Sequence, residues 1–524
     1  MLNLIFDGQT GVLYDSPRAD LDGVPCVVAA VRQICRCFNK LKVACTPERE
    51  KEALRAFSYI EQDLTEFQVR QEDVSDFNRV CRLLWDPIFS DFNPADLIPK
   101  HGPGVTSEGL RGNAKYRWRV WHERVEPYFP FLGFAQPLGM AGEEEFDKVA
   151  FIPPERENPS RIISVPKTLK GPRIIAAEPV VAQYCQQSVQ AYLVDKLETH
   201  WFTRRRINFR DQSINQRLAV IGSKTEEWAT LDMSDASDRV FNSLASSMFE
   251  GNQDLLGAIQ ACRTTHSLLP NGQLVGPLVK FASMGSALCF PVEAMYFYTI
   301  CIVSLIRKRG LPFDLPSVLL VGREIFVYGD DIIVPTDEAA TVADSLLKYN
   351  SKVNPRKSFW TGKFRESCGS DAYDGYDVTP TYVRHFIPRN RRLHTEIISL
   401  VAAANAFYKR GYWKTARFLY ERIEVITGSL PVVASDSPAL GRIYNGPQVS
   451  VSHWNKELQR FEIRALVVEP VHRTDELDGY DALAKSLLSL ERQVELDVTR
   501  DPLHLKRVAR HGVAALKRRA VRAL

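Results

Sequence analysis

The sequence contains no internal repeat, heptad run or low-complexity tract, which excludes solenoids and long coiled coils. It has no C-x-x-C pair. The ten cysteines are scattered, and Cys35 and Cys37 form a lone C-x-C, so no zinc site or thioredoxin-like motif opens and reduced thiols are expected. The ten histidines, His385 among them, show no H-x-x-x-H or H-E-x-x-H spacing, leaving zinc catalysis without support. Long apolar runs are scarce too. Residues 287–306 approach the ~20 apolar residues of a membrane span, but Pro291 and Glu293 interrupt them and a buried helix is expected instead. The opening MLNLIFDGQT carries Asp7 where a secretory signal needs a positive region and then an unbroken apolar stretch. No membrane partner is expected.

What remains is the composition of a soluble globular protein: 524 residues, 45% hydrophobic and 25% charged. That length suggests three to five compact units or one large multi-lobed enzyme, rather than a lone binding module. The net charge of +4 hints at no polyanionic partner until it is divided by region. Residues 161–224 hold eleven cationic side chains against four acidic ones, and residues 503–524 hold seven cationic and none acidic. The rest of the chain is therefore acidic, and the near-neutral total conceals two basic regions.

The first 100 residues read as largely helical, and PKHGPG at 99–104 marks a loop. WATLD at 228–232 reads as a short strand. Ser234 and Asp235 then look like caps of a helix whose apolar positions Val240, Phe241, Leu244, Ala245, Met248 and Phe249 recur at helical spacing. Met284-Gly285-Ser286 forms a loop before the buried helix. Residues 325–328 and 332–334 are apolar runs around Gly329-Asp330-Asp331, a hairpin signal. Residues 395–410 and 412–427 read as helices with basic or glycine stops, in a C-terminal part expected to be mostly helical.

Adjacent aspartates between apolar strands demand neutralisation, since like charges ~4 Å apart repel by about 4 kcal/mol at an effective dielectric near 20. Asp232, ending another apolar strand, can join them, and clustered carboxylates suit Mg²⁺, which often bridges them to substrate phosphates. Taken alone, Gly-Asp-Asp fits a solvated hairpin turn equally well. Arg204–Arg206 fit an RNA channel or an exposed loop, and the basic C-terminal segment fits RNA, an anionic membrane or a protein partner.

The order of blocks narrows this. TLDMSDASDRV at 230–240, SMGSALCFPVEA at 283–294 and VYGDDIIVP at 327–335 resemble motifs A, B and C of RNA-dependent RNA polymerases, specifically the replicase subunit of small positive-strand RNA bacteriophages, the leviviruses. SVPKTLKGPRIIAAEP at 164–179 is similar to the family's basic motif F, and residues 357–384 to its motif D to E region. The resemblance implies an α+β right-hand polymerase. Its parts would be an N-terminal region and fingers (1–223), an antiparallel-sheet palm (224–249 and 281–385), a fingers insertion (250–280), and a mainly helical thumb with a basic tail (386–524). It implies two Mg²⁺ ions, or Mn²⁺, on Asp232 and Asp330 with Asp331 close by. Lys167, Lys170 and Arg173 would hold the triphosphate, Asp238 would face the ribose 2′-hydroxyl, and Lys357 would donate a proton to pyrophosphate. Gly285 would allow close backbone approach. Ser286 stands where many members have Asn, and Glu293 matches an acidic position but also fits a polar residue on a buried helix. The implied partners are RNA, nucleoside triphosphates, host elongation factors Tu and Ts and a ribosomal RNA-binding protein, in the cytoplasm of a bacterial host. A two-metal nuclease and a non-catalytic RNA-binding scaffold are the alternative functions.

Overall fold

The computed structural model describes residues 23–140, 146–168, 171–435, 437–444, 453–471, 477–491 and 514–522. Three helices come first: α1 (Val24–Arg36), α2 (Pro47–Glu66) and α3 (Gln71–Phe89). Proline at the first position of α2 sacrifices no helical hydrogen bond there. In α3, Phe77, Val80, Cys81, Leu84, Trp85 and Ile88 recur every three or four residues and are all buried. Each such side chain contributes roughly 1.5–3 kcal/mol relative to exposure.

Strands β1 (Ser160–Thr168) and β2 (Gly171–Ala177) form an antiparallel hairpin with a register shift between Pro166 and Thr168. Helices α4 (Val180–Thr199) and α5 (Ser213–Thr225) and strand β3 (Trp228–Ser234) follow. The short strands β4 (Ser267–Leu268) and β5 (Leu274–Val275) extend the hairpin into a sheet ordered β2-β1-β4-β5. After helix α6 (Cys289–Lys308) come β6 (Phe326–Tyr328), β7 (Asp331–Pro335) and β8 (Lys352–Val353). With β3 they build an antiparallel sheet ordered β8-β3-β7-β6, in which Leu231 pairs with Ile332 and Asp232 with Asp331. The chain is thus α+β.

Helix α6 is buried almost continuously from Cys289 to Ile306. It is, among the described residues, the helix long and apolar enough to cross a membrane, but 94% of its most apolar window is covered by the protein itself. A helix apolar on every side belongs in such a core. Two of its buried hydroxyls are satisfied internally: Trp85 Nε1 donates to Thr299 Oγ1 at 2.9 Å, and Ser345 Oγ donates to Ser304 Oγ at 2.9 Å. Pro291 lies in its first turn, where a missing N–H is harmless.

Two expectations change. The helix anticipated directly after Ser234 is replaced by a single 3₁₀ turn, Ser237–Arg239, and a short helix, Asn242–Ser247. Tertiary bonds pull this stretch out of helical register: Asn242 N–H donates to Val279 O at 2.9 Å, Phe281 N–H to Val240 O at 2.7 Å, and the buried Arg239 donates to Asp63 at 2.7 Å. The C-terminal part is less helical than expected. Beyond β9 (Phe364–Ser367) and β10 (Ser370–Tyr373), the anticipated helices α7 (His394–Lys409) and α8 (Trp413–Thr427) do form. They are followed by the long strand β11 (Arg460–Pro470), helix α9 (Gly479–Glu491) and strand β12 (Ala514–Arg522), which pairs with β11 over nine residues. Lys517 and Arg519 of the basic segment ion-pair with Glu469 across that ladder. Lys506, Arg507 and Arg510 lie outside the described residues.

Gly285 ties the β2-β1-β4-β5 sheet to the start of α6. Its φ is +128°, and a Cβ there would overlap the carbonyl oxygen of Ala176 in β2, whose own N–H donates to Met284 O at 2.8 Å. Replacing Gly285 by Ala is expected to destabilise the protein by roughly 1–3 kcal/mol. A lowered thermal-melting midpoint would register this, while Gly139→Ala, with open space at its Cβ and an ordinary φ, leaves the midpoint unchanged.

Candidate active site

A cleft of about 730 Å³ opens over one end of the β8-β3-β7-β6 sheet. Asp232 comes to it because β3 runs to Ser234 with Leu231 and Met233 buried beneath, which leaves the alternate residue facing outward. Asp330 comes to it at the tip of the β6–β7 hairpin. Gly329 takes φ +62° as the first of two turn residues, and a Cβ at that position would overlap the Phe290 ring. Lys167 and Arg173 enter from the β1–β2 hairpin, Asp238 from the 3₁₀ turn, Lys357 from the loop after β8, and Glu293 from the second turn of α6. Ala53, Ala56, Phe57 and Ile60 of α2 form an apolar wall.

The three neighbouring carboxylates meet different surroundings. Asp232 is held on both oxygens: Lys357 Nζ donates to Oδ1 at 2.9 Å and Asn354 Nδ2 to Oδ2 at 3.0 Å. Its main chain is pinned as well, since its N–H donates to Ser358 Oγ at 3.0 Å and its carbonyl accepts from Asn354 N–H at 2.8 Å. Asp330 lines the cleft, and burial, then repulsion from Asp232, raises its pKa above the ordinary carboxylate value. Asp331 does not line the cleft. It accepts from the Cys368 N–H at 3.2 Å, and burial, then Asp330, push its pKa up to about 7.

The cations complement this. Lys357 is bonded to Asp232 but remains about half exposed. Burial lowers its pKa, yet the bond to Asp232 together with the charges of Asp232, Glu366 and Asp330 outweighs that and the net shift is upward. Lys167 shifts downward, chiefly through burial and then the neighbouring Arg173. Arg173 Nε is buried and, among the described residues, lacks a hydrogen-bond partner, so it is available to an anion. Glu293 is buried, and desolvation followed by Asp330 raises its pKa well above normal.

The expected site residues are not all gathered here. Lys170 lies outside the described residues. Ser286 turns its hydroxyl to Gln186 Oε1 at 3.2 Å, into a buried network with Glu178 behind the cleft. Gly285 serves the contact with Ala176 and does not line the cleft. Arg206 lies over the Phe326 ring, at the far edge of the sheet. Among the described residues, no three Asp, Glu, His or Cys side chains converge as a ready-made metal cluster. Asn354 and Ser358 escaped the sequence reading. The Asn354-Pro355 pair is a turn signal that marks the loop but not its contact with Asp232.

Residues 152–402 match the family model described as RNA replicase, beta-chain. Over this segment, just under half of its length, the chain is similar to that family. The replicase segment contains the cleft's carboxylates and cations but not helix α2. Among similar proteins is the RNA-directed RNA polymerase subunit beta of Qbeta virus (strain MX1). It is 29% identical over 320 residues, which cover 59% of this chain and 48% of that relative. The subunit beta of Escherichia virus Qbeta is 36% identical over 44% of this chain and 36% of the relative. The RNA-directed RNA polymerase beta chain of Enterobacteria phage fr is 33% identical over 47% of this chain and 40% of the relative. The chain therefore matches about half, or less, of the length of these relatives. A crystal structure of a human picorbirnavirus RNA-dependent RNA polymerase overlaps 51% of this chain and 55% of its own, at 10% identity and a TM-score of 0.36. A likeness that loose bears no weight here.

Because Asp331 binds its proton more tightly when folded than when unfolded, its contribution to stability is fully present below the unfolded pKa near 4 and is lost as pH rises toward about 7. Asp331→Asn keeps an acceptor for the Cys368 N–H and removes the titration. In metal-free buffer the variant should gain stability over the parent, by on the order of 1–4 kcal/mol, between pH 4 and 8. Denaturant midpoints that move in parallel across that range would disprove the shift.

Proposed function

We propose that this chain is the polymerising subunit of an RNA-directed RNA polymerase that replicates a positive-strand RNA phage genome. The observation that carries the reading is the opposition of charges across one cleft, with Asp232 and Asp330 on its sheet floor and Lys167 and Arg173 on the hairpin beside them. Phosphate oxygens favour such charge-assisted donors, and Arg can hold them through two nitrogens. In this reading the sheet β8-β3-β7-β6 is the palm, the β1–β2 hairpin belongs to the fingers, and α7 and α8 begin the thumb.

The donor set suits a hard divalent cation, being carboxylate oxygens of which one, on Asp330, has its proton affinity raised by burial and then by Asp232. Asp232 and Asp330 would hold Mg²⁺, with Asp331 behind them. Bound Mg²⁺ supplies charge neutralisation at the attacking and leaving oxygens of an in-line displacement. The residues of the chain supply the rest. Lys167 and Arg173 hold the triphosphate, and the floor of the cleft positions its α-phosphate for the 3′-hydroxyl of the growing strand. Lys357, protonated and half exposed, donates a proton to departing pyrophosphate. Asp238 accepts from the ribose hydroxyl. The "subunit beta" in the relatives' names supports assembly with further chains, and we place elongation factors Tu and Ts and a ribosomal RNA-binding protein in that role, in the bacterial cytoplasm.

Template-dependent extension by the purified chain, with and without nucleoside triphosphates and with added bacterial extract, tests activity and partner dependence together. Product longer than the template-bound primer supports polymerisation. Shortened RNA without triphosphates would point to a nuclease, and binding without either product to a scaffold. Asp330→Asn should reduce Mg²⁺-dependent incorporation on the order of 10²–10³-fold or more while leaving melting and RNA binding intact. Undiminished synthesis would sink the assignment.

A further inference from the structure

Lys280 lies just before the Met284-Gly285-Ser286 loop and its side chain is wholly buried. A lysine removed from water needs counter-charge close by. Its Nζ donates to Asp238 Oδ1 at 2.9 Å, stands 3.9 Å from Glu61 Oε2, and lies 3.6 Å from the centroid of the Phe57 ring, over its face. Glu61 is itself fixed, its Oε1 accepting from the Val279 N–H, and its Oε2 has no hydrogen-bond partner among the described residues. Phe57 and Glu61 both belong to α2, outside the segment that matches the replicase family.

The next residue in the turn is tied to the same helix. Arg239 is buried and donates to Asp63 of α2, which also accepts from Asn350 and Lys352 at 3.3 Å. The 3₁₀ turn that carries Asp238 is therefore fastened to α2 at two successive positions. Asp238 faces the cleft and uses Oδ1 for Lys280, and among the described residues nothing donates to its Oδ2. Ser286, the other candidate for the sugar, faces away from the cleft.

We infer that Lys280 is the positioning residue for sugar recognition: bridging Asp238 to Glu61 and Phe57 of α2, it fixes the Asp238 carboxylate with one oxygen presented to the ribose 2′-hydroxyl. This rests on the polymerase reading above. Helix α2 thereby takes part in substrate choice as well as walling the cleft. Without the ammonium, the Asp238 carboxylate loses its anchor and rotates, while the triphosphate contacts of Lys167 and Arg173 are untouched.

The experiment measures kcat/KM for incorporation of matched ribo- and deoxyribonucleotides by the full chain on a defined template. If the parent incorporates neither, even with bacterial extract added, the polymerase reading itself fails. If it incorporates ribonucleotides selectively, Lys280→Met should lower the ribo-to-deoxy ratio at least tenfold, through a raised KM for the ribonucleotide, with deoxynucleotide incorporation little changed. Glu61→Gln, which keeps the shape and removes the second charge, should lower the ratio at least threefold, and it decides the matter if Lys280→Met melts below assay temperature. Combining Lys280→Met with Asp238→Ala should cost no more selectivity than Asp238→Ala alone. An unchanged ratio in folded Lys280→Met or in Glu61→Gln, or additive losses in the double variant, overturns the inference.

Discussion

Carboxylates that share a poorly hydrated space repel one another, and the surroundings of Asp232, Asp330 and Asp331 are organised around that repulsion. Each is relieved differently. Asp232 is neutralised by Lys357 and capped by Asn354. Asp331 is turned to a backbone amide and favours its proton. Asp330 is left at the hairpin tip, facing the cleft, with Lys357 and Lys167 only partly offsetting its burial and the repulsion from Asp232. Neighbours in sequence and register thus become chemically unequal, which a flexible surface turn could not enforce. Rigidity comes from below, where a sheet of buried Val, Ile and Leu rests against a helix that is apolar on all sides.

Local patterns made the floor of the site legible. WATLD read as a short apolar strand ending on Asp232, and the glycine before paired aspartates located the hairpin turn. The buried helix followed from composition and length. Distant partners were not legible. The stretch after Ser234 has a helical period, but Arg239 and Asp238 are claimed by groups on α2 and near Lys280, and those bonds override it. Ser286 sits where a sugar contact was plausible, yet Gln186, a hundred residues earlier, takes its hydroxyl. The C-terminal strands were hidden for a related reason. Positive charge dominates ALKRRAVR, and its period of two becomes visible only opposite the strand that supplies Glu469.

The N-terminal helices acquire meaning through the same long-range contacts. Helix α3 supplies the stripe that closes the core against α6, and Arg307 at the end of α6 returns to Asp73 and Asp76 of α3. Helix α2 stands on the cleft side, its apolar residues forming the wall and its acids reaching the turn behind Asp238. A helix outside the family-matched segment is thus built into the same cleft as the carboxylates inside it.

Two glycines packed around the start of α6, Gly285 before it and Gly329 in the β6–β7 turn, bear on how such a sequence can drift over generations. The Phe290 ring occupies the volume that a side chain at 329 would need, and the Ala176 carbonyl occupies that of a side chain at 285. Neither glycine can change alone. A larger residue at 329 becomes admissible only after 290 has shrunk, and one at 285 only after the β2 strand has moved. Descendants of this chain should therefore change these pairs jointly or keep them, so each pair forms a unit of inheritance although its members lie on separate elements.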